Sequence, residues 1–181
     1  DIEVKTPYES QLASWVDYIA KLKRVNITAQ AKSQLAFMVG PSLFEVSQSL
    51  DKLKEVFKEE KVDTAQINEV IQKTRVQDIF QICDLIGFGK IPEALQQLEH
   101  SLANGQSPIG CLQLFFRHFR ILEVILRHKN DRISAQDLAS KAGVPKFFLT
   151  NYQRQAQGWS LMRLSKAFKS LESADLALKS T

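Results

Sequence analysis

At 181 residues the chain can bury one sizeable core or two small ones. Hydrophobic residues at 44% and charged residues at 24% sit close to ordinary globular usage, which excludes a disordered tail or a collagen-like fibre. The net charge of +4 is uneven: residues 1–71 carry nine Lys/Arg against eleven Asp/Glu, residues 72–181 fifteen against nine. The second half can lie near polyanions, although a surplus of that size falls short of a dedicated nucleic-acid arm.

No apolar run approaches the roughly 20 residues that span a bilayer, and the opening Asp1-Ile2-Glu3-Val4-Lys5 lacks a signal peptide's apolar centre. Cys83 and Cys111 stand in apolar contexts without a CxxC pairing, so buried reduced thiols and a cytoplasmic location are expected. The chain opens on Asp1 rather than Met, which fits a fragment of a longer protein.

Apolar residues recur at spacings of three and four almost throughout, so the expected fold class is all-α. Thr6-Pro7-Tyr8-Glu9 supplies a capping hydroxyl, a first-turn proline and an acid, and Leu12, Trp15, Val16 and Ile19 form the stripe of a first helix ending near Lys23. Thr28 caps a second helix through Ala31, Leu35 and Met38, which Gly40 stops. Ser42-Leu43-Phe44-Glu45 is a capping box opening a third, through Val46, Leu50, Leu53 and Phe57. Asp63-Thr64 begins a short fourth helix with Ile67 and Val70.

The polar stretch 72–77 marks a joint between domains. Beyond it, Ile79, Phe80, Cys83 and Ile86 predict a helix closed by Gly87 and Gly89. Pro92 opens the next, which Asn104-Gly105 ends. Ser107-Pro108 caps a long helix whose Leu112, Phe115, Phe116, Phe119, Leu122, Ile125 and Leu126 crowd more than one face, predicting a central position. Ser134 and Asp137 cap a short helix stopped at Gly143, Pro145 begins another, and Ser160 begins the last, through Leu164, Phe168, Leu171 and Leu178.

Catalytic patterns are missing. There is no GxxxxGK[ST] loop or GxGxxG turn, and His100, His118 and His128 form neither HxxxH nor HExxH spacing. No enzyme, cofactor or metal is expected. The run Phe115-Phe116-Arg117-His118-Phe119-Arg120 interleaves bases and aromatics, yet helical geometry separates Phe115, Phe119 and Leu122 from Arg117, Arg120 and Val124. Core aromatics beside solvent or interface arginines is the reading adopted. Residues 134–152 carry a helix-turn-helix rhythm, with Lys141, Lys146 and Asn151 as the DNA contacts such a unit would use. That is the alternative function, against which Phe147 places an apolar ring on the groove-facing side.

Read together, the segments resemble the delta subunit of the bacterial DNA polymerase III clamp loader, almost end to end. The first part is similar to that family's lid: Leu12, Trp15-Val16, Ile27 with Ala31 and Leu35, Gly40-Pro41-Ser42-Leu43, Leu50-Asp51-Lys52-Leu53, and Val62 through Val70. The second is similar to its collar: Ile79-Phe80 with Asp84-Leu85-Ile86, Ala94-Leu95-Gln96-Gln97-Leu98 with Gly105, Phe116-Arg117-His118-Phe119-Arg120, Leu138-Ala139 with Gly143-Val144, and Ala174-Asp175-Leu176-Ala177-Leu178-Lys179.

The resemblance implies a helical lid at 1–72 and a collar at 73–181, with the amino-terminal RecA-like, clamp-binding domain missing. It implies a non-catalytic part of the bacterial replication machinery, loading the sliding clamp onto primed DNA. ATPase (gamma/tau) and delta-prime subunits would be held through the collar, the clamp engaged only by the missing domain, and DNA only indirectly. ATPase relatives place an arginine three residues after the lid glycine; Leu43 stands there, and an apolar side chain cannot stabilise phosphate charge. The collar's outer face is expected to include Phe116, Arg117, Arg120 and Trp159.

Overall fold

The computed structural model describes residues 11–40, 42–58, 60–71 and 75–180, so the Thr6-Pro7 start signal lies outside the described residues. The chain is all-α: among the described residues there are ten helices and no extended pairing beyond an isolated parallel bridge between Ile27 and Val62. Backbone contacts divide it into two compact units, 1–77 and 78–181. The division falls at the far end of the polar stretch 72–77, inside a helix rather than in a loop.

The first unit holds α1 (Leu12–Lys23), α2 (Ala29–Val39), α3 (Leu43–Phe57) and α4 (Thr64–Ile71). Capping chemistry sets their starts. Thr28 Oγ1 accepts from the Ala31 amide, Ser42 Oγ from the Glu45 amide and Asp63 Oδ1 from the Ala65 amide, each satisfying a donor the first turn would leave orphaned. Val16, Leu35, Leu50, Leu53 and Ile67 are sealed from water where α1 and α4 lie against α2 and α3. Each such side chain contributes ~1.5–3 kcal/mol by leaving water. The face of α2 is wider than its Ala31-Leu35-Met38 stripe suggests: Gln34, Ala36, Phe37 and Val39 are buried as well.

The second unit holds most of α5 (Arg75–Gly87) and all of α6 (Ile91–Ala103), α7 (Pro108–Arg127), α8 (Ala135–Ala142), α9 (Lys146–Ala156) and α10 (Leu161–Lys179). Ser107, Ser134 and Ser160 each accept from the amide three residues on. Gly143 ends α8 with φ 67°, a left-handed turn that a side chain would strain. The 20-residue α7 is central, touching α8, α9 and α10 and burying eight side chains, which is why its apolar residues exceed one stripe. Around its first turns Cys111 and Phe115 join Ile79, Ile82, Cys83 and Ala94 in one core cluster.

Candidate subunit interface

Aromatic rings knit α7 to α10 and to the 157–160 turn. Phe116 stacks on Phe168 with centroids 6.2 Å apart, and Phe119 meets Phe168 edge-on at 6.3 Å and Trp159 at 5.0 Å. The Trp159 indole N–H donates to the Gly87 carbonyl at 2.9 Å, satisfying one of the carbonyls that α5 leaves free at its end. The Arg163 guanidinium lies 4.2 Å above the Trp159 ring and donates to the Gly158 carbonyl. Of the four residues proposed for an outer face, Trp159 and Phe116 are therefore half-buried and committed inside the unit. Arg117 is half-buried and engaged, while Arg120 is exposed.

Beneath these rings a polar cluster ties α5 to α9. Asp84 Oδ1 accepts from Gln155 Nε2 at 2.7 Å and from Asn151 Nδ2 at 3.1 Å. Burial raises the Asp84 carboxyl above its usual range, and the two amide bonds work against that shift. The backbone of Gly87 presses on the same glutamine: a Cβ there would stand 1.8 Å from Gln155 Oε1 and 2.5 Å from its Cδ. Only hydrogen fits.

His118 is buried with its ring 5.1 Å from Tyr152, and among the described residues neither imidazole nitrogen has a hydrogen-bond partner. Burial holds its pKa down at about 3, with Gln155 opposing, so the ring is neutral at physiological pH. Burial also pushes the Cys83 and Cys111 thiols and the Tyr152 phenol upward, which removes them as nucleophiles. Among the described residues no three His, Cys, Asp or Glu side chains converge to hold a metal ion. No helix among them is long and apolar enough to cross a membrane.

What the second unit leaves in water is apolar to an unusual degree on two helices. On α10, Leu161, Met162, Leu176 and Leu178 are exposed, Met162 and Leu176 to 71%. On α6, Ile91, Leu95 and Leu102 are exposed beside the half-buried Leu98, a spacing of four, three and four that draws one seam along the helix. The long helix α7 offers only Ile109 in this way, because its surplus is spent on three neighbours.

The sequence profile of the DNA polymerase III delta subunit, C-terminal domain, matches residues 76–181, more than half of the chain. The chain belongs to this delta-subunit family. The matched stretch coincides with the second unit, so every ring, cap and polar contact just described lies within the delta C-terminal domain. Among solved structures the chain is similar to the Bacillus subtilis DNA clamp loader delta protein, with a TM-score of 0.56 and 21% identity. That likeness is one of fold; it covers 98% of this chain but 53% of the other, so this chain spans about half its length. No curated protein matches the sequence.

The residues weighed for DNA contact lie on α8 and α9. Lys141 and Lys146 are exposed at opposite sides of the α8–α9 turn, but Asn151 spends its amide on Asp84. The sequence reading missed the Asp84–Gln155–Asn151 cluster, Gly87 and the burial of His118 in this delta domain. A signal existed for α9 alone, where Asn151 and Gln155 sit at i and i+4 on one face. Nothing in the sequence pointed that face at Asp84, 71 residues away.

Proposed function

We propose that the chain is the lid and collar of a clamp-loader delta subunit, a non-catalytic scaffold that joins ATPase and delta-prime subunits for loading a sliding clamp onto primed DNA. The observation that carries this reading is the continuity of the fold match: one clamp-loader delta protein is paralleled over both units in order, not over the profile-matched domain alone. In this reading 1–72 is the lid and 73–181 the collar.

The exposed apolar residues of α10 and α6 support the collar assignment, since interfaces that persist bury apolar cores that a monomer would otherwise cover. Arg120, exposed on α7, remains a candidate contact in this reading. The buried, neutral His118 and the protonated thiols support a scaffold's role over a catalyst's. Binding to the clamp is assigned to neither of the two units.

Size-exclusion chromatography of the chain mixed with purified ATPase and delta-prime subunits tests the reading. A stoichiometric complex is expected, weakened when Met162 and Leu176 are both replaced by Asp. Separate elution at micromolar concentrations, or a complex indifferent to the double substitution, would remove the collar assignment. The chain alone is expected to leave the sliding clamp unbound, so tight clamp binding would show that the contact has been misplaced.

A further inference from the structure

On α10 the side chains of Met162, Lys166, Lys169, Ser173 and Leu176 are all exposed, those of Met162 and Leu176 to 71%. Their spacing of four, three, four and three keeps them within roughly 80° of one another around the helix and draws one line about 21 Å long. Leu164, Ala167, Phe168, Leu171 and Ala174 occupy the opposite side and are buried or half-buried. The line is what α10 leaves over after packing its own unit. Alternating steps of three and four hold residues on a single seam, the pattern that a second helix lying nearly lengthwise can cover.

The ends of this seam are apolar and its middle is cationic. The methylene stems of Lys166 and Lys169 continue the apolar line, but among the described residues neither ammonium has a partner. Asp175 is held by Lys179 at 2.6 Å, and Glu172 forms no ion pair with either lysine. Arg163, one turn before Lys166, is turned toward Trp159 and the Gly158 carbonyl. A straight helix that covers both Met162 and Leu176 also covers the lysines between them, and a covered ammonium without an acceptor is strongly unfavourable.

The order apolar, cationic, apolar selects the occupant. Resting on the collar reading, we propose that this seam of α10 receives an α-helix of a partner subunit that carries Asp or Glu at its middle and large apolar side chains toward its ends. Carboxylates facing Lys166 and Lys169 fix the register of the two helices, and the apolar contacts at either end exclude water from the seam. A second copy of this chain is the wrong match, since α10 against α10 would set one pair of lysines against the other. A phosphate backbone would satisfy the lysines and leave Met162 and Leu176 in water.

Biolayer interferometry of the 181-residue chain against purified ATPase and delta-prime subunits, titrated separately, tests this. For the subunit seated on α10, Lys166→Glu with Lys169→Glu should weaken binding roughly a hundredfold and Lys166→Gln with Lys169→Gln about tenfold, and the wild-type affinity should fall as salt rises. Lys141→Glu with Lys146→Glu, the same charge change on α8 and α9, should leave it unchanged. All these side chains are exposed, so the variants should melt with the wild type. If charge reversal on α10 is harmless, or no worse than at Lys141 and Lys146, while Met162→Asp with Leu176→Asp abolishes binding, the acidic helix is wrong and the collar reading stands. If the wild type binds neither subunit, both fall. Loss of primed-DNA binding on charge reversal, with subunit binding intact, would overturn the proposal in favour of a phosphate surface. A wild-type dimer in sedimentation equilibrium that Met162→Asp with Leu176→Asp dissolves would overturn it in favour of a second copy.

Discussion

Replacing Gly87 with alanine is expected to destabilise the second unit through one contact that helix propensity alone would not foresee. The added methyl would stand 1.8 Å from Gln155 Oε1, so the glutamine must swing away. Its departure forfeits the 2.7 Å bond to Asp84, a hydrogen bond to a charged group worth ~1.5–3 kcal/mol. Overpacking the site adds ~1–3 kcal/mol, while alanine's better helix propensity returns up to ~1 kcal/mol. The net is a loss of about 3 kcal/mol, or roughly 10–20 °C in Tm for a unit of this size.

Urea denaturation at pH 7.5 reads the loss directly, and a double-mutant cycle identifies its cause. With Gln155→Ala already present the three atoms nearest the added methyl are gone, so Gly87→Ala should then cost far less. The coupling between the two sites should therefore exceed about 2 kcal/mol. A single variant within about 0.5 kcal/mol of wild type, or additive effects in the cycle, would refute the close approach as the reason for glycine.

Acid should unfold the second unit through His118. Its folded pKa is depressed to about 3 from an ordinary 6.5, so below pH 6.5 the unfolded state binds a proton that the folded state refuses. Stability present above pH 6.5 is then lost on acidification at ~1.4 kcal/mol per pH unit until the folded pKa is reached. Asp84, with its raised pKa, works in the opposite sense, favouring the folded state as pH falls. Comparing urea midpoints of wild type and His118→Leu between pH 7 and pH 4 isolates the histidine; parallel pH dependences would contradict its burial as a neutral ring. Trp159→Phe keeps the ring against Phe119 but loses the bond to the Gly87 carbonyl; ~1 kcal/mol of stability should go with it in thermal melts. Leu122→Ala, at a fully buried position of α7, should cost ~2–5 kcal/mol. Cys83 and Cys111 should resist a thiol-specific reagent in the native chain and react once urea unfolds it; fast native labelling would show the core open.

Helix starts were legible because they are local chemistry. Ser42, Ser107, Ser134 and Ser160 announce themselves within three residues, and each caps the helix predicted from it. The central position of α7 was legible for a similar reason, since apolar residues on several faces demand several neighbours. The candidate interface was less so. Trp159 read as an outward anchor, yet its indole donates to a backbone carbonyl 72 residues earlier, a partner that no spacing rule can name. His118 read as one member of a basic-aromatic run, but its angular position on α7 places it toward Tyr152 on α9. Exposure of Met162 and Leu176 was hidden too, because a sequence shows that α10 is apolar and not which of its sides a neighbour covers.

The proposed scaffold role requires the second unit to be held by partner subunits across α10 and α6. Hydrogen–deuterium exchange of the chain, alone and with purified ATPase and delta-prime subunits, tests this most directly. Slowed exchange along 161–178 and 91–102, with α1 to α3 little changed, is the predicted result. Identical exchange in both samples, or protection confined to the first unit, would contradict it.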